Sequence, residues 1–221
     1  MQLFLYALLV GAVYAEARLD EPKSTVKIPP WANESLYGKY QDAWATINDT
    51  TAKYHLVRAS YNSDELLGDN FTCVTVQTTS IVNITTYQVE AKLTYKNGSM
   101  ENTITLETWA YFVYDYTKVR NGLQYAEKDK RPRKISNTWS LPARMAERGA
   151  IVFSNPNVCD VVSVTKFKRG RPVKHLELWV REGSQDNVPK CCEFLFEYFR
   201  PKKFITYKVY TKDACGNTKS Q

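Results

Sequence analysis

The residues best equipped for chemistry fall in one stretch. Cys159-Asp160-Val161 is followed by Glu177-Leu178-Trp179 and then by the pair Cys191-Cys192. Two carboxylates and an indole beside cysteines suit the holding of a small organic cation, because an ammonium group removed from water needs carboxylate partners and gains further from the face of an aromatic ring. That is the chemistry of capture rather than turnover. Catalytic alternatives find little material, since the only histidines are His55 and His175. His175-Leu176-Glu177 followed by Pro189 is similar to the zinc deaminase pattern, but that pattern needs two residues between its cysteines and here they are adjacent. No nucleophile motif, phosphate-binding loop or metal-ligand spacing appears. The expectation is a binding protein without cofactor or metal.

These residues need elements that aim them together. On a strand, residues two apart share a face, so Glu177 and Trp179 point one way, Leu178 and Val180 the other, and Asp160 lies with Val162 and Val164. If the Leu178 face packs under a helix, Glu177 and Trp179 look inward; the alternative leaves Glu177 a solvated edge carboxylate and Trp179 ordinary core. Segments 54–61, 72–80, 87–95, 103–116, 150–153, 160–166 and 174–180 are rich in Val, Thr, Tyr and Ile with two-residue alternation, and read as strands. Lys96-Asn97-Gly98 predicts a hairpin, and Arg169-Gly170-Arg171-Pro172 predicts a turn between the Asp160 and Glu177 strands. Short connections imply antiparallel neighbours. Tyr37, Tyr40, Trp44 and Ile47 are at helical spacing within 36–47, which predicts a short amino-terminal helix. Cys191, Phe194, Leu195, Tyr198 and Phe199 predict a trailing helix with one apolar stripe. Seven or eight antiparallel strands with two flanking helices describe a small closed barrel able to hold one ligand, or a two-sheet sandwich of similar pattern.

The 221-residue chain opens on an apolar run from Leu3 to Val13 ending at small residues, read as a signal peptide over 1–15. No later stretch is long enough to span a bilayer as a helix. Five sequons, at Asn33, Asn48, Asn70, Asn83 and Asn97, fit export and glycosylation. Cysteines at 73, 159, 191, 192 and 215 make an odd count; two disulfides and one leftover thiol leave fifteen arrangements open. The net charge of +7 gathers at Lys128 to Lys134, Lys166 to Lys174 and Arg200 to Lys203, read as solvated loop tips, with attraction to acidic glycans or cell surfaces as the functional alternative. Nucleic acid is not an expected partner for an exported chain, and a monomer is expected.

The string Cys159-Asp160-Val161, fifteen residues, Glu177-Leu178-Trp179, eleven residues, Cys191 resembles the biogenic-amine signature of the tick salivary histamine-binding lipocalins. Pro30-Trp31-Ala32, Gly38 to Trp44, Ala59-Ser60-Tyr61, Gly68 to Cys73 and Asn187-Val188-Pro189 look like landmarks of that family in its order, so the likeness runs from about Trp31 to Cys215. The resemblance implies an eight-stranded antiparallel lipocalin barrel over 36–215, behind an extension at 16–35 and before a tail at 216–221. It implies secretion into saliva and sequestration of histamine, with serotonin as a second amine, to suppress host inflammation during blood feeding. The binding set it implies is Tyr61, Asp64, Glu107, Tyr125, Asp160, Glu177 and Trp179. It also implies disulfides Cys73–Cys215 and Cys159–Cys192, leaving Cys191 on the helix stripe as a buried thiol, or as half of a bridge to another chain. Two departures stand out: Leu67 where a binding tryptophan can occur, and Lys128 to Glu147 as an insertion. Histamine has about eight heavy atoms, so a ceiling of about −1.5 kcal/mol per atom caps its binding near −12 kcal/mol. A tight site must therefore engage both the ammonium and the ring, with charge-assisted hydrogen bonds of about 1.5–3 kcal/mol each. The same barrel has two other readings: a scavenger of a lipid mediator, with an apolar interior and a cationic mouth, or a protein-binding immune modulator using the 128–148 surface.

Overall fold

The computed structural model describes residues 27–128, 147–155, 158–168 and 171–216. The proposed leader at 1–15, the 129–146 portion of the insertion and the 169–170 turn tip lie outside them. Eight strands form the barrel: β1 (Lys53–Ala59), β4 (Thr72–Asn83), β5 (Gln88–Asn97), β6 (Met100–Tyr111), β7 (Gly122–Glu127), β8 (Glu147–Asn155), β9 (Cys159–Lys168) and β10 (Arg171–Arg181). Each pairs antiparallel with its neighbour, and β10 returns to β1 to close the cylinder, with Leu56 opposite Trp179 and Ala59 opposite Glu177. A two-residue-strand hairpin, β2 (Ser63–Asp64) and β3 (Gly68–Asp69), sits at one rim, and β11 (Tyr207–Lys208) adds beside β1. This is the eight-stranded antiparallel lipocalin barrel expected from the sequence, and closure decides against the sandwich.

Local chemistry explains the connections and the departures. The β5–β6 hairpin turns at Gly98, whose φ of 61° is the left-handed conformation a residue without Cβ adopts freely. The expected strand over 103–116 stops at Tyr111, because Tyr114 and Asp115 take positive φ and turn the chain. β7 was not anticipated: it is six residues long and opens on Asn121-Gly122, which reads as a turn. The predicted leading helix is broken into α1 (Glu34–Tyr37), a 3-10 turn over Gly38–Tyr40 and α2 (Ala43–Ile47). The break falls at Gln41-Asp42. Gln41 is fully buried, donates from Nε2 to the carbonyls of Trp31 (2.9 Å) and Val152 (2.7 Å), and accepts from the Tyr116 hydroxyl. Asp42 then caps α2, its carboxylate accepting from the N–H groups of Trp44 and Ala45.

Two apolar cores follow from strand alternation. Leu56, Val74, Leu93, Leu106, Ile151, Val162 and Val164 line the inside. Val161, Leu178 and Val180 face outward and are covered by α3 (Lys190–Phe199) through Cys192 and Phe196, both fully buried. The disulfides Cys159–Cys192 and Cys73–Cys215 join β9 to α3 and β4 to the terminal helix α4 (Lys212–Cys215). Cys159–Cys192 sets the phase of α3, which differs from the stripe that spacing predicts. The buried face is 192/196 with Leu195 and Phe199 beside it, whereas Phe194 and Tyr198 are 63% exposed and stack on each other, and the Cys191 thiol is exposed rather than buried.

Candidate functional site

A cavity of about 130 Å³ lies inside the barrel. β9 and β10 supply its polar wall, because alternation sends Asp160, Val162, Val164 and Lys166 of β9 and Glu177 and Trp179 of β10 inward. Tyr61, just past the end of β1, leans over the same wall. Its hydroxyl donates to Glu177 Oε1, and the Trp179 indole N–H donates to Glu177 Oε2 at 2.8 Å. Glu177 is 4% exposed, so this carboxylate is held in place by two donors in a dry setting. Burial, with Glu177, Tyr125 and Asp64 nearby, pushes the Tyr61 phenol well above its ordinary value, so it stays a donor.

The two ends of the cavity differ. At the rim closed by the β2–β3 hairpin, Asp64 Oδ1 accepts from the backbone N–H groups of Leu66 (2.7 Å) and Leu67 (3.0 Å), and Asp64 Oδ2 pairs with the ammonium of Lys166. The opposite end is floored by Thr46 and Ile47 of α2. There Asp160 lies across the ladder from Trp179, fully buried, with a hydrogen bond to Ser154 and no partner for Oδ1 among the described residues. Burial pushes its carboxyl up to about 7, against the lowering effect of Ser154. Burial likewise raises the phenol of neighbouring Tyr54, with the Asp160 charge adding to it. Asp49 is at this end too, held low by Thr51 and ion-paired to Arg181 at 3.2 Å.

Tyr61, Asp64, Tyr125, Asp160, Glu177 and Trp179 all line the cavity, and Leu67 lines it where a tryptophan was a possibility. Glu107 is not brought to it. Leu106 and Thr108 take the inward positions on β6, so Glu107 faces outward, where its Oε2 accepts from Gln88 Nε2 at 2.9 Å. Asp49, Tyr54 and Lys166 were missed. Extending the Asp160, Val162, Val164 alternation by one step finds Lys166, for which its place in a basic run predicts a solvated tip; its side chain is 13% exposed and points inward. His175 faces Ser60 at 3.0 Å while Cys192 is bonded to Cys159, so no deaminase-like ligand set forms from them. No group of three His, Cys, Asp or Glu side chains that could hold a metal occurs among the described residues.

Comparison with known proteins matches residues 31–217 to the family described as tick histamine binding protein. The male-specific histamine-binding salivary protein of Rhipicephalus appendiculatus is 33% identical over 199 residues, spanning 87% of this chain and 90% of that protein. Female-specific histamine-binding protein 1 of the same species is 30% identical over 106 residues, 46% of this chain and 54% of that protein. Among solved structures, the AM182 serotonin complex superposes with a TM-score of 0.50 at 13% identity, covering 76% of this chain and 89% of that one, which shows a shared fold.

Proposed function

The chain belongs to the tick histamine-binding protein family, and we propose that its barrel captures biogenic amines, histamine foremost and serotonin second, as a secreted salivary protein that removes them by stoichiometric binding. The observation that carries this is Asp160: a fully buried carboxylate with an unpartnered oxygen, facing a cavity whose other lining is largely apolar. A buried acceptor of this kind costs stability unless a donor reaches it, and an ammonium group is the donor that also matches its charge. Glu177 offers a second acidic position two residues from Trp179, so an amine can set its charge on a carboxylate and its ring against Trp179 and the nearby tyrosines. No bond is made or broken, and no group in the cavity needs to turn over.

The lipid-mediator reading needs a cation in the barrel for the lipid carboxylate. Lys166, which faces the cavity, is already paired with Asp64. Titration calorimetry with histamine tests the amine reading. Glu177→Gln removes a charge-assisted partner worth about 1.5–3 kcal/mol and is expected to weaken binding at least tenfold. Unchanged affinity in that variant, or absence of heat with any amine in the unaltered protein, would overturn the assignment.

A further inference from the structure

Lys166 and Asp64 form an ion pair inside the barrel, with side chains only 13% and 2% exposed. The Lys166 ammonium also lies 4.9 Å from the centre of the Tyr61 ring. The remaining Asp64 oxygen is occupied by the N–H groups of Leu66 and Leu67. An ammonium on a buried carboxylate and over an aromatic face is the contact set that a bound amine would make, and here the chain makes it with its own side chain.

We infer that Lys166 acts as a tethered surrogate ligand that fills the Asp64 end of the cavity and thereby sets which amines the barrel accepts. This rests on the amine reading above. A group held on the same chain competes at an effective concentration of about millimolar or more, which a dilute mediator does not match without additional contacts. Asp64 therefore gives no charge to the incoming ligand, whose ammonium is directed to Glu177 and Asp160 instead. The far end of the bound molecule then meets a cation. A second positive charge there is repelled, while a neutral ring or a hydrogen-bond acceptor such as a ring hydroxyl is tolerated. The class selected is monocationic aromatic amines, with diamines and dications rejected.

The test is calorimetric titration of histamine, at a pH where its ring is neutral, into the unaltered protein, Lys166→Met, and the double variant Asp64→Asn/Lys166→Met, each checked for fold by near-ultraviolet circular dichroism. Lys166→Met is expected to gain a second amine per chain or at least tenfold tighter binding. The double variant is expected to lose that gain, because the acid that Lys166→Met uncovers is gone as well. No gain in Lys166→Met, or a gain that persists in the double variant, overturns the inference. Amine binding by Lys166→Met but not by the unaltered protein sinks the proposed function and the selection of amines with it, and leaves Lys166 standing only as the surrogate ligand; binding by neither sinks both. Acetylation mapped by mass spectrometry gives a readout that needs no variant. Lys166 is expected to stay unreactive whether or not the protein is saturated with histamine, and labelling that appears on saturation would show the ligand displacing it and overturn the inference.

Discussion

Asp160 illustrates how one buried carboxylate links stability to binding. Its carboxyl is raised from 3.8 to about 7, so between those values the folded protein keeps a proton that the unfolded chain releases. Stability attributable to this group falls as pH climbs through that window; the cost is complete above about pH 7 and absent below 3.8. Asp160→Asn is therefore expected to stabilise the fold at pH 8 by on the order of a few kcal/mol, read as a raised melting temperature, with the gain vanishing near pH 4. Binding runs the other way, since an ammonium needs the ionised form. An amine that stays fully charged is expected to bind about tenfold more weakly at pH 6 than at pH 8, and Asp160→Asn to flatten that dependence in calorimetry. At this scale the sequence was legible wherever two-residue alternation applied from a fixed anchor: Asp160, Glu177 and Trp179 all sit where parity puts them. Glu107 shows the limit, because parity on β6 cannot be read without knowing which of its neighbours, Leu106 or Glu107, faces in. Lys166 was obscured by grouping charges by nearness along the chain instead of by face.

Among the elements, α3 shows why a helix can be read while its orientation cannot. Cys191, Phe194 and Tyr198 form one apolar stripe, Cys192, Leu195, Phe196 and Phe199 an overlapping one, and the covalent tie at Cys192 chooses between them. Phe196→Ala is expected to cost about 3–5 kcal/mol in denaturant unfolding, while Phe194→Ala should change stability by under about 0.5 kcal/mol. The loop after β6 is held differently. The Glu34 carboxylate accepts from the backbone N–H groups of Thr117, Lys118 and Val119, and these bonds outweigh a burial penalty and bring it down to about 2. That support is whole above the ordinary value of 4.5 and is lost as pH drops through about 2. Glu34→Gln is expected to speed amide exchange at Thr117 to Val119 at neutral pH, with the difference from the unaltered protein closing as pH approaches 2. The strands themselves were largely visible in the sequence because β-branched and aromatic residues alternate along them; β7 was not, being short and carrying a glycine at its start.

For the molecule as a whole, a net charge of +7 surrounds a cavity intended for a cation. The interior acids act at contact distance, whereas the surface charge acts over a Debye length of about 10 Å at 0.1 M salt. Raising ionic strength is thus expected to quicken amine association in stopped-flow experiments while leaving dissociation nearly unchanged; slower association with salt would mean that the outer field attracts rather than repels. Cylinder closure has a further consequence. The joint that completes the barrel is the β1–β10 ladder, where Leu56 meets Trp179 and Ala59 meets Glu177, so the seam and the gripping wall are one structure. A nascent polypeptide still lacking residues past 171 holds neither the acid nor the indole of β10, and the trap is set only when the carboxyl-terminal part has left the ribosome and zipped onto the strand made first.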